Sequence, residues 1–131
     1  MVDTNVVAYL LLPGPRTAQA EALLLDHPQW AAPPLWRSEW RNVLTGYLRR
    51  DRLQLPEAVA LMQQAEMLLG AHDEPVSSEH VLHLVSNSRC SAYDCEFVAA
   101  AQQLGVPLVT EDRAILTAFP DLAQPLPEPT P

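Results

Sequence analysis

The chain has 131 residues, 48% of them hydrophobic and 18% charged, with a formal net charge of −8. That length is one domain's worth of sequence, and the composition excludes a wholly disordered chain and leaves room for a core. All eight basic residues are arginine, which closes chemistry that needs a lysine ammonium, such as a P-loop or a Schiff base, and the acidity argues against a nucleic-acid binder working by bulk charge. No apolar run approaches the roughly 20 residues of a membrane helix, and the start MVDTNVVAYLL lacks the basic residues of a signal peptide. Cys90 and Cys95 would close only a trivial loop, so reduced thiols and a cytoplasmic protein are expected.

In chain order, Met1 and Val2 lead into Asp3 as a very short strand, and Val6 to Leu12 is a short helix stopped by Pro13-Gly14. The Ala- and Leu-rich stretch Thr17 to Asp26 predicts a second helix, and Trp30 to Ala32 the remnant of a strand. Leu35 to Arg50 carries Trp36, Trp40, Val43, Leu44 and Tyr47 at three- and four-residue spacings, an amphipathic helix with its aromatic residues in the core. Pro56 opens a helix to Leu69. Its apolar residues Val59, Leu61, Met62, Leu68 and Leu69 are too broadly spread for one buried stripe and predict a homodimer.

Glu74 to Val76 is a short extended piece, followed by a helix capped at Ser77 or Ser78 and running to Val85. Ser91 to Leu104 predicts a helix with Tyr93, Phe97, Ala100 and Leu104 on its buried face and Gly105 at its end. VPLVT (106–110) is a buried strand, and Asp112 to Phe119 a final helix. The prolines at 125, 127, 129 and 131 predict that residues 121–131 form an extended, partly disordered tail after a domain spanning 1–120. Strands alternating with helices imply an α/β sandwich around a small, mainly parallel sheet, in which ligands sit beyond the carboxyl ends of the strands.

Asp3 and Asp112 each follow a strand, at that edge. Glu39 lies three residues after Trp36 on the margin of an apolar stripe, and Asp94 flanks Tyr93 and Phe97 in the same way. Four carboxylates in one cleft would repel one another unless a cation neutralised them. An all-oxygen donor set selects Mg²⁺ or Mn²⁺, which can activate water against a phosphodiester.

Four blocks carry these acids: VDTNVV at Asp3, SEWRNVL around Glu39, SAYDCEFVAAA around Asp94 and LVTEDRAI around Asp112. As a set, in this order, they resemble the four acidic blocks of the PIN-domain nucleases, in particular the toxin ribonucleases of bacterial toxin–antitoxin pairs of the VapC type. The resemblance spans residues 1 to roughly 120. It implies a three-layer α/β/α sandwich and metal-dependent RNA cleavage, with Asp3, Glu39, Asp94 and Asp112 as the acidic metal-site residues. Thr4, Asn5 and Thr110 match polar positions beside those acids, where they would orient ligands or water. It also implies an antitoxin that inserts a basic segment into the acidic cleft. The chain departs from the pattern in its short first strand, in Glu111 adjoining Asp112, and in the C-terminal prolines, which would spoil an edge strand.

Other chemistry finds less support. His80 and His83 with Cys90 and Cys95 fit no familiar zinc spacing, and no serine sits in a nucleophile elbow. Asp3-Thr4-Asn5 lacks the second acid, and the chain lacks the lysine, of an aspartyl phosphatase. Arg49, Arg50 and Arg52 are the basic cluster of the sequence, read either as a solvated helix end or as an RNA-backbone contact. A catalytically silent PIN-like module, whose acids bind a partner's arginine, is the alternative to an endoribonuclease.

Overall fold

The computed structural model describes residues 1–70 and 73–128. Its elements are α1 (Thr4–Leu11), α2 (Thr17–Asp26), α3 (Trp36–Arg49), α4 (Leu55–Leu69), α5 (Ser78–Ser86), α6 (Ala92–Leu104), β1 (Leu108–Val109), α7 (Arg113–Ala118) and β2 (Ala123–Gln124). Local chemistry sets most of the boundaries. The Ser77 hydroxyl accepts from the His80 N–H at the start of α5, and Ser91 does the same for Asp94 at the start of α6. Gln54 and Glu57 form a reciprocal capping box on α4, and Gly105 ends α6 in the left-handed region at φ 68°.

The sheet is small and parallel. Leu108 pairs with Ala123 and Val109 with Gln124. On the other edge of β1, Val2 forms a parallel bridge to Val109, with the Asp3 N–H donating to the Val109 carbonyl at 3.1 Å and the Val109 N–H to the Met1 carbonyl at 2.9 Å. The Val2 N–H reaches the Ala31 carbonyl, and Ala32 bridges in parallel to Asp73. Five short extended pieces therefore lie side by side, with residues 1–3 central. This is the expected α/β sandwich, reduced to the residues that hold the first segment and β1 in register.

Trp30, Trp36, Trp40 and Phe97 are fully buried together with Val6, Val7, Leu69, Leu108 and Ile115, as the spacings on α3 anticipated for its two tryptophans. Cys90 and Cys95 are buried free thiols. Among the described residues no helix is long and apolar enough to cross a membrane.

Three expectations need correction. The buried face of α6 is not a stripe through Tyr93 and Leu104, which are 64% and 44% exposed. Cys95, Phe97, Val98, Ala99, Ala100 and Ala101 are buried instead, because α6 packs against both α5 and β1 and its small residues let neighbours approach on several sides. On α4, Leu69 is buried and Leu61, Met62 and Leu68 pack partly against the core, so the exposed apolar residues are Leu55, Val59 and Met67. Of the unpaired tail expected over residues 121–131, residues 129–131 lie outside the described residues, and within 121–128 the expectation of no regular pairing fails: β2 forms before the first proline of the run, and Ala123 and Leu126 are buried. Proline forbids a donor only at its own position, so two residues ahead of Pro125 suffice for a parallel edge.

Candidate active site

The polar cleft lies beyond the carboxyl ends of the first extended segment and β1, as a parallel sheet requires. It is an open cavity of about 210 Å³ bordered by Asp3, Thr4, Asn5, Glu39, Asn42, Asp94 and Asp112. All four acids singled out in the sequence therefore border one space.

Asp3 occupies the N-cap position of α1, but its carboxylate caps nothing. It receives the Thr110 hydroxyl at 2.8 Å. The same Thr110 oxygen accepts the Asp112 N–H at 3.0 Å, so one buried hydroxyl ties two acids from neighbouring strands. Asp112 also commits Oδ1 to the Ile115 N–H at 3.0 Å, capping α7. Thr4, in the first turn of α1, donates to Glu39 Oε1 on α3 at 2.7 Å. Thr4 and Thr110 are the two buried polar residues among those described, and each holds a carboxylate. Asp94 sits in the first turn of α6, where the helix dipole favours negative charge.

The electrostatics match a crowded acidic site. Burial pushes the Asp3 carboxyl above its ordinary range; hydrogen bonds from Thr110 and the Thr4 backbone oppose this, and the charges of Asp94 and Asp112 reinforce it. Glu39 is raised first by burial, against the Thr4 bond, and further by Asp3, Asp94 and Glu96. Asp94 is raised by burial and by Asp112, with Ser91 hydrogen bonds pulling the other way. Among the described residues the ion pairs are Arg16–Glu111 and Arg37–Asp73, and neither neutralises these four acids.

An all-carboxylate set in which Asp3, Glu39 and Asp94 are each lifted first by burial and then by neighbouring acids, with no basic ion-pair partner among the described residues, has the donor chemistry of a hard divalent-cation site. The acids border a shared cleft without closing a cage: among the described residues no three His, Cys, Asp or Glu side chains converge tightly enough to enclose an ion.

Glu111 does not compete with Asp112. Arg16 binds it, and it borders a separate cavity with Arg113 and Thr117. The cluster Arg49, Arg50 and Arg52 lies at the far end of α3 from Glu39, about 15 Å along the axis, with Arg50 stacked on Tyr47 at 5.0 Å. It does not border the cleft. His80 Nε2 is engaged by Gln102 at 2.7 Å. The residue that sequence reasoning missed is Asn42, which borders the cleft. Its signal was its place one helical turn after Glu39.

The sequence model of the PIN domain matches residues 1–120. The chain is also 27% identical over 128 residues to Ribonuclease VapC3 of Pyrobaculum aerophilum, covering 95% of this chain and 98% of that protein. A match over nearly the whole chain agrees with the parallel sheet and with acids gathered at its carboxyl edge, and the chain belongs to the PIN domain family.

Proposed function

We propose that the protein is a metal-dependent endoribonuclease that hydrolyses RNA phosphodiester bonds, and that it is the toxin of a toxin–antitoxin pair. The observation that carries this reading is the convergence of Asp3, Glu39, Asp94 and Asp112 on one cleft with no ion-paired basic residue among the described residues to neutralise them. The four carboxylates would hold Mg²⁺ or Mn²⁺. Such an ion, when bound, supplies an activated water for in-line attack and charge to stabilise the leaving oxygen.

The residues of the chain have separate tasks in this scheme. Thr110 and Thr4 each donate one hydrogen bond, to Asp3 and Glu39, fixing the orientation of carboxylates that would otherwise swing apart under their mutual repulsion. The amides of Asn5 and Asn42, at the cleft, supply neutral donors for phosphate oxygens where a carboxylate would repel them. The similarity to a VapC ribonuclease supports RNA as substrate and an antitoxin as partner. The antitoxin would place a cation among the acids in the ion's stead. A cytoplasmic homodimer completes the reading.

The test is cleavage of RNA by purified protein with Mg²⁺ or Mn²⁺, with and without chelator. Activity with either ion and its loss on chelation are expected. Equal activity in chelator refutes the metal, and no cleavage with either ion favours a silent module whose acids bind a partner's arginine.

A further inference from the structure

An acidic nuclease must still hold a polyanion beside four carboxylates. The placement of its arginines shows where. Arg16 is bound to Glu111 and stacked on Tyr9, Arg37 is bound to Asp73 and stacked on Trp36, and Arg50 is stacked on Tyr47. Arg41 is two residues from Glu39, hence on another side of α3, and Arg49 and Arg52 lie at its far end. Arg89 and Arg113 remain. Both are exposed, neither has a carboxylate within ion-pair distance among the described residues, and they come from different elements to border one groove of about 500 Å³ with Ser88, Ala114 and Thr117.

The groove is built and not a chance pairing of side chains. The Cys90 thiol donates to the Ala114 carbonyl at 3.6 Å, and the Cys90 N–H bonds Ser88 Oγ at 3.3 Å. The Ser88 hydroxyl in turn donates to the Leu84 carbonyl at 2.8 Å. The loop carrying Arg89 is thereby fastened to α7, whose first residue is Arg113. Asp112, immediately before Arg113, borders the acid cleft, so groove and cleft adjoin across one peptide bond. Past Arg113 a second cavity continues to Arg16.

We infer that the groove between residues 87–90 and α7 holds the backbone phosphates of the RNA strand next to the scissile bond, with Arg89 and Arg113 as its anion ligands. This rests on the ribonuclease reading. Two guanidiniums beside a net charge of −8 give binding that depends on backbone charge and little on base identity, which phosphate contacts provide. Arg89 and Arg113 act as positioning residues, so their loss affects strand capture more than the chemical step.

The experiment compares Arg89→Ala/Arg113→Ala with Arg89→Lys/Arg113→Lys and Arg49→Ala/Arg52→Ala. A short mixed-sequence single-stranded RNA is the probe. Cleavage kinetics are measured with Mn²⁺, and binding by fluorescence anisotropy over a salt series on the Asp3→Asn background, where the strand stays intact. The alanine pair is expected to raise KM roughly tenfold at low ionic strength with little change in kcat. It should also flatten the salt dependence of log K by about 1.4, since each phosphate of a single strand that is no longer neutralised takes away roughly 0.7. The lysine pair should recover most of both, and Arg49→Ala/Arg52→Ala should match the parent.

Parental affinity and salt slope in the alanine pair overturn the inference. So does loss of poly-glutamate binding in that pair with RNA binding intact, which assigns the groove to an acidic protein. The two readings fail separately: a wild-type protein that binds RNA without cutting it sinks the nuclease, whereas unchanged binding in the alanine pair sinks the groove.

Discussion

Thr110→Val removes a single hydroxyl and keeps the side chain's shape. Thr110 is 0% exposed, and its oxygen serves Asp3 and the Asp112 N–H at once. Losing the bond to a carboxylate costs about 1.5–3 kcal/mol, and stranding the Asp112 N–H about 1 kcal/mol more. The added apolar burial of valine offsets roughly 1 kcal/mol. The net loss of about 2 kcal/mol corresponds to a fall in Tm of roughly 6–8 °C for a domain of this size. Thr110→Ser retains the hydroxyl and loses a buried methyl, costing about 1 kcal/mol. The pair therefore separates packing from orientation. With Thr110→Val, kcat/KM for RNA should fall roughly 10- to 100-fold. The acid limb of its pH profile should move up, because the bond that holds the Asp3 pKa down is gone. Thr110→Ser should retain activity and the parental limb. Thermal melts and pH–rate profiles read both effects. An unshifted limb and parental activity in Thr110→Val, or equal activity losses in the two variants, would refute the reasoning.

Asp3→Asn should abolish cleavage and leave the fold intact. Because the folded-state pKa of Asp3 is raised, its contribution to metal-free stability is fully present below the unfolded pKa and is lost as pH rises through the folded one. Asp3→Asn should therefore flatten the decline in Tm between acid and neutral pH in chelator, and an unchanged decline removes Asp3 from the repulsive set. Glu39→Gln should weaken metal binding by calorimetry and RNA cleavage together, with extra metal restoring part of the loss. Asp51→Asn, at a φ of 55° that asparagine tolerates, is the control, and parental behaviour in Glu39→Gln breaks the four-acid site. The exposed Leu55, Val59 and Met67 of α4 predict a homodimer in sedimentation that Val59→Glu dissociates; a wild-type monomer at high micromolar concentration refutes it.

The helices were legible because their signals are local. Caps at Ser77 and Ser91, the stop at Gly105 and the Trp36, Trp40 and Leu44 spacing act within a few residues. The four acids could be picked out because each follows a strand within three residues or stands on the rim of a helix stripe. The buried face of α6, the short edge β2 and the groove holding Arg89 and Arg113 were not legible. Each depends on which elements meet, and periodicity within one segment carries no information about neighbours from elsewhere in the chain.

By itself the sequence determined the α/β class, the order of the elements as far as α7, and which four acids border the cleft, because residue types and their spacing dictate these. Only the tertiary structure decided that Thr110 binds two acids at once, that Thr4 serves Glu39, and that Arg16 draws Glu111 away from the cleft. Those bonds join residues up to 107 positions apart. Hydrogen bonds and screened charges act over a few ångströms of space, and that proximity exists only once the sheet has brought the segments together.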